Sequence, residues 1–316
     1  MTKVTNALAT YDVTTNREDL SDAIFRISPA DTPFMSAIPR GKATAVLHEW
    51  STDSIESTST TNAQFEGDAL TRSTSTAPSR VHNYCQISNR DATVSETERA
   101  VNPAGIDDMM AWQVSKKGLA LRKDMEAILL GNTGEVAGNT TTARKLRSFN
   151  AWISGNGSRG TNGADSTAAT AAATDGTSGD IRTLTEAMLK DAIKDAFDDG
   201  GEPSLALVGS FNKQIVSGFT GRTTQQQIVD KNVILGAASI YASDFGDLKI
   251  MPNRTQRGRD VFVVDTDKAA VAFLRPIQVQ ELGRVGDAIT RNCIAEYTLE
   301  MRHPDAHALI ADLATS

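Results

Sequence analysis

The chain has 316 residues, enough to bury a large core without disulfides or a structural metal. Its 32 Lys and Arg against 39 Asp and Glu leave a net charge of -7, which argues against a protein that grips phosphate backbones. Only Cys85 and Cys293 occur, far apart and in no metal or redox spacing, so reduced thiols are expected and a disulfide framework is excluded.

The opening MTKVTNALATYDVTT has no basic stretch followed by an apolar run, and the mean hydropathy is negative. No window approaches the ~18 uninterrupted apolar residues of a membrane-spanning helix. The expectation is a soluble chain that stays in the cytosol after synthesis and meets no membrane.

From Ser51 to Ser79 the sequence is dense in Ser and Thr, poor in large apolar residues and broken by Gly67 and Pro78. Such a segment supplies no core of its own and is expected to project. Its flanks, ATAVLHEW and RVHNYCQIS, have the β-branched and aromatic content of strands. Together they read as a long hairpin that needs support from elsewhere.

A helix is expected from about Ala104 to Leu130. Asn102 is placed to cap it, Pro103 suits its first position, Asp107 and Asp108 suit its first turn, and Gly131 follows its last apolar residue. Ile106, Met110, Val114, Gly118, Leu121, Met125 and Ile128 recur at spacings of four and three, an apolar stripe along roughly 40 Å. A short helix is expected around Ala143 to Ile153. The Gly, Ser, Thr, Ala and Asp tract from Ser154 to Asp180 has no hydrophobic period and reads as a surface loop or linker.

Thr183 and Glu186 read as a capping box for a helix running to about Asp199 and stopped by Gly200 and Gly201. SLALVG is expected to be a buried strand, and Ser210 to cap a helix over FNKQIVSGF. Further strands are expected in ASIYASDF, LKIMPN, DVFVVD, AAVAFL and IQVQEL. The succession is α+β, without a regular βαβ repeat.

Catalytic signals are scarce. The sequence has no phosphate-binding P-loop and no nucleophile elbow. His303 and His307 stand four apart in HPDAH, but Pro304 opposes the helix that a zinc pair needs, so a turn is expected there. His48 and His82 fall on the two arms of the hairpin, where a cross-strand pair is expected rather than a ligand pair. No catalytic, cofactor-binding or metal-ligating residue is assigned, and no cofactor is expected.

The stretches YDVTTNREDLSDAIFRISPADTPFMSAI, LHEWSTDSI, LRKDMEAILLGN with VAGNTTTARK, VGSFNKQIVSGFTGR, SDFGDLKIMPNR and EYTLEMR follow one another as in a single family. From about Thr10 to Thr315 the chain resembles the major capsid proteins of tailed phages with the Hong Kong 97-type fold, in the SU-ten-like group. The resemblance implies an N-terminal arm over residues 1–42, lying along a neighbour, and an extended loop over 43–89. It implies a peripheral domain with the spine helix over 90–153, an axial domain over 181–274, and C-terminal strands over 275–316 that return to the peripheral domain. The tract 154–180 has no implied role.

The resemblance further implies a non-enzymatic subunit that forms pentamers and hexamers of an icosahedral virion shell assembled in the host bacterial cytoplasm. The shell encloses double-stranded DNA without sequence-specific binding, and its partners are a portal protein, a scaffold and a decoration protein. Some relatives join their subunits through an isopeptide bond from a lysine on the extended loop. Here no lysine stands between Lys42 and Lys116. The rival readings are a shell subunit of an encapsulin-like nanocompartment, which has the same fold, and a hydrolase with scattered catalytic groups.

Overall fold

The structure is a computed structural model that describes residues 28–67, 69, 75–101, 106–219, 239–284 and 286–316. The chain enters through a short helix, α1 (Pro33–Ala37), and a short strand, β1 (Arg40–Lys42). A hairpin follows, β2 (Leu47–Thr52) with β3 (Ser79–Tyr84), and then β4 (Gln86–Ser95), α2 (Glu96–Ala100) and the long helix α3 (Met109–Leu129). Next come α4 (Phe149–Trp152), β5 (Gly157–Ser158), α5 (Glu186–Asp198), β6 (Leu205–Val208) and α6 (Ser210–Ser217). The remainder is strand-rich: β7 (Ile240–Ser243), β8 (Gly246–Pro252), β9 (Val261–Val264), β10 (Ala269–Leu282), β11 (Ala288–Met301) and β12 (Ala308–Ile310).

Two sheets organise these elements. One has four strands in the order β1-β10-β11-β4, and the other six in the order β5-β12-β9-β6-β8-β7. The six-stranded sheet is covered on both faces, which is why its central strands are runs of apolar residues without alternation. In β6 and β9, Leu205, Leu207, Phe262 and Val264 face a core shared with α1, α3 and the four-stranded sheet. Ala206, Val208, Val261 and Val263 face the opposite way, onto α5 through Leu189, Ala192, Ile193 and Ala196. The two-residue period of a strand thus ties one short segment to two separate cores.

α3 is shorter than the sequence implies, 21 residues or ~32 Å. The Asp108 side chain accepts from the Met110 amide and caps it, and Ile106 precedes the helix. The cap expected at Asn102 lies outside the described residues. Met110, Leu121 and Met125 of the expected stripe are buried, and Leu129 and Glu126 join them. Glu126 stands on the buried side because its carboxylate has donors to meet: the Phe34 and Met35 amides at 2.8 and 2.9 Å, and Asn253 Nδ2 at 2.8 Å.

Several expectations change. The α5 cap is Thr185, whose Oγ1 accepts from the Met188 amide, and not Thr183. α6 starts at Ser210 itself, with Gly209 as its cap residue. The helix expected over 143–153 shrinks to the single turn of α4, all four residues of which are buried. AAVAFL and IQVQEL are one strand, β10, whose register to β11 shifts between Arg275 and Gln278 around Pro276. A proline has no amide to donate, so the pairing breaks locally while the strand continues.

The end of the expected arm also differs. Residues 33–42 do not lie free for a neighbour, because Phe34, Met35 and Ile38 sit in the main core and β1 pairs in parallel with β10.

The tract 154–180 is neither a linker nor a free loop. It wraps the buried carboxylate of Asp312, which accepts from the Gly160 and Gly176 amides at 2.9 Å each and from Arg259 at 2.6 Å. A side chain at Gly163 would collide with that carboxylate, so the composition that reads as low complexity permits the close approach.

Leu121→Ala removes packing from a fully buried site on α3, and a cost of ~2–5 kcal/mol is expected. Urea unfolding of the unassembled subunit reads it as a lower midpoint with an unchanged slope.

Candidate assembly surfaces

The hairpin is held to the body by its base. In the β2–β3 register, Leu47 pairs with Tyr84, His48 with Asn83, Glu49 with His82 and Trp50 with Val81. Trp50 donates from Nε1 to the Met301 carbonyl at 3.1 Å, and its ring lies 5.8 Å from that of Trp152. Asn83 is fully buried; its Nδ2 donates to the Leu299 and Arg147 carbonyls and its Oδ1 accepts from the Arg147 amide. Such a group is costly to bury unless every bond is made, so it fixes the strand's position as well as its stability.

His48 and His82 do not form a cross-strand pair. The register is offset by one residue, which sends them to opposite faces of the hairpin. His48 Nε2 meets Glu300 at 3.0 Å, and His82 Nε2 meets Glu135 at 3.2 Å. Burial alone raises the Glu300 carboxyl, but hydrogen bonds from Arg302 and His48 outweigh it and hold the group below the usual carboxylate range. Both histidines therefore tie the hairpin to the body. Trp50 and Asn83 carry no sequence signal of this role beyond lying within the strand-like flanks.

Beyond the base, every described residue from Asp53 to Pro78 is exposed. None of its described residues joins a core of its own subunit, and Ile55 and Phe65 are 98% and 87% exposed.

His303, His307 and the two cysteines do not converge on one site. His303 stands at the start of a single 3-10 turn, Pro304–Ala306, and its Nε2 meets the Asp199 carbonyl at 2.9 Å. His307 is fully buried, and its Nδ1 accepts from the Asp265 amide at 3.1 Å. Cys85 and Cys293 are buried and free, and burial pushes the Cys85 thiol up to about 11. Among the described residues no group of three His, Cys, Asp or Glu side chains is placed to hold a metal, and no helix is long and apolar enough to cross a membrane.

A projecting loop on a pinned hairpin, a long helix against a four-stranded sheet, and a second sheet with its own helix form the frame. The family model described as SU10 major capsid protein matches residues 4–314. The chain belongs to that family. Over 120 residues this capsid protein is 28% identical to the major capsid protein of Escherichia phage Phieco32, a match covering 38% of the chain and 34% of that relative's length.

Solved structures agree on the fold. A chain from Mycobacterium phage Adephagia superposes with a TM-score of 0.64 at 10% identity, covering 98% of this chain and 99% of that one. The capsid of a native GTA particle gives 0.63 at 11% identity, over 99% and 100%. The fold is the mixed helix and sheet Hong Kong 97-type fold of phage capsid proteins.

His307 supplies a pH dependence. Burial depresses it from its ordinary value of 6.5 to about 4, so the folded subunit keeps it neutral where the unfolded chain is protonated. Its contribution is complete above pH 6.5 and is lost as pH falls toward 4, on the order of 3 kcal/mol in total. Thermal melts of the unassembled subunit should show this acid loss, and His307→Gln, which retains an acceptor for the Asp265 amide, should lessen it.

Proposed function

We propose that the chain self-assembles into the icosahedral head of a tailed double-stranded DNA phage. In this reading residues preceding α1 act as an arm along a neighbour, and the loop carried by β2 and β3 reaches across an adjacent subunit. α3 and the four-stranded sheet serve as the peripheral domain, and the six-stranded sheet with α5 and α6 as the axial domain, which points to the centre of a pentamer or hexamer. Assembly takes place in the host bacterial cytoplasm. A portal protein, a scaffold and a decoration protein complete the particle.

The observation that carries the reading is the exposure of every described residue of the loop. A segment with no contact to its own core, on a base pinned by Trp50 and Asn83, gains order only from another molecule. The acidic balance suits a container, since a shell that bound its genome tightly would hinder packing and release. The role is structural, not enzymatic.

Electron micrographs of the purified protein are expected to show closed shells, and particles from infected cells should hold double-stranded DNA. A cargo enzyme in place of DNA supports the nanocompartment instead. Deleting Asp53 to Pro78 removes no described residue that is buried, so the variant should fold with unchanged helix content and form no shells. Normal shells from it overturn the role given to the loop. Because no lysine stands between Lys42 and Lys116, the loop has no amine for an isopeptide bond, and arginine is a poor substitute nucleophile. Mature particles boiled under reducing conditions should run as one band near 33.8 kDa; a covalent ladder contradicts this.

A further inference from the structure

Two features find no match among the described residues of the subunit, and they fit each other. The first is on the loop. Between Asp53 and Gly67 the only large apolar side chains are Ile55 and Phe65, and the only charges are Asp53, Glu56 and Glu66, with no Lys or Arg among them. Ile55 and Phe65 are the two most exposed large apolar residues among those described. A phenyl ring so placed in water, followed directly by a carboxylate, has the form of an anchor with a polar latch.

The second is a cavity of about 340 Å³ on the body. Met35, Phe273, Pro276 and Ile277 supply its apolar walls, and Arg40 and Arg122 stand at it. It opens where β10 loses register around Pro276, so it is built by the backbone. Most described arginines are paired inside the subunit, as Arg90 is with Asp124, Arg144 with Glu296 and Arg302 with Glu300. Among the described arginines only Arg40, Arg122 and Arg254 have side chains in neither an ion pair nor a hydrogen bond, and two of those three stand at this cavity. A second cavity of about 430 Å³, lined by Ile87, Gly138 and Arg144, lacks that feature because its arginine is already held by Glu296 at 2.7 Å.

We propose that Phe65 of one subunit inserts between Phe273, Pro276 and Ile277 of a neighbouring copy, with Glu66 pairing to that copy's Arg40 and Arg122. This rests on the shell reading above and names the receiving site of the loop. The ring supplies the buried contact and the ion pairs fix its register, because a carboxylate between two arginines rejects a basic or a shifted segment. The same contact repeats at every subunit, so a small change in it is multiplied over the shell.

The test uses particles of the full chain. Phe65→Cys combined with Pro276→Cys, oxidised after assembly, should give a ladder of covalent oligomers on a non-reducing gel that collapses with reductant. Cys85 and Cys293 are buried and do not compete. Glu66→Arg and Arg122→Glu should each lower the assembled fraction about tenfold, and the two together should restore it. All these positions are exposed, so circular dichroism should find every variant folded. Particles that form normally but give no ladder, or a charge swap without rescue, overturn the docking site while leaving the shell intact. A wild-type chain that forms no particles overturns both readings, so the two failures are distinguishable.

Discussion

One buried carboxylate joins three parts of this molecule. Glu126 lies on the inward face of α3 with no exposure, and its two oxygens take the first amides of α1 and the side-chain amide of Asn253. Burial raises its pKa, and the hydrogen bonds from Met35, Phe34 and Asn253 counter that rise. A short helix such as α1 has little stability alone, and its leading amides need an acceptor. Glu126 supplies that acceptor, which sets the position of Phe34 and Met35 in the main core. It also ties α3 to the turn after β8, so helix, entering chain and six-stranded sheet share one register.

Asp312 repeats the device at the far end of the chain. It has positive φ, is fully buried, and gathers Gly160, Gly176 and Arg259 around it. Both carboxylates order segments that carry too few apolar side chains to order themselves. The body of the subunit is thereby made rigid by a few satisfied polar groups as well as by its apolar cores, and a rigid body gives the loop a fixed point of departure.

The legible parts of the fold were those written in side-chain pattern. LALV read as a buried strand and VFVV as a strand, and both are apolar throughout because both faces of their sheet are covered; the Ser- and Thr-rich segment read as projecting because it has few large apolar side chains to bury. The family resemblance supplied the overall architecture. Less legible were features decided by contacts distant in sequence. Thr183, with Glu186 three residues on, carries the capping-box pattern, and only the path of the chain selects Thr185 instead. Glu126 was not among the residues of the expected stripe, because its donors stand about ninety residues earlier at Phe34 and Met35 and well beyond the helix at Asn253. The tract 154–180 looked unstructured because its organiser, Asp312, stands outside it. His48 and His82 were paired in error because composition does not reveal a register offset of one residue. The cavity at Pro276 was invisible for the same reason, since it depends on how β10 and β11 slip past each other.

The two thiols are both shut away from oxidants. Cys85 is enclosed by Ala43 and Ala272, with its proton directed to the Ala45 carbonyl, and Cys293 is enclosed beneath α3. A thiol pushed up to about 11 stays protonated at physiological pH, and the thiolate is the form that oxidants and disulfides attack. With both thiols buried and protonated, a change from a reducing to an oxidising medium leaves the covalent bonding of the subunit as it is.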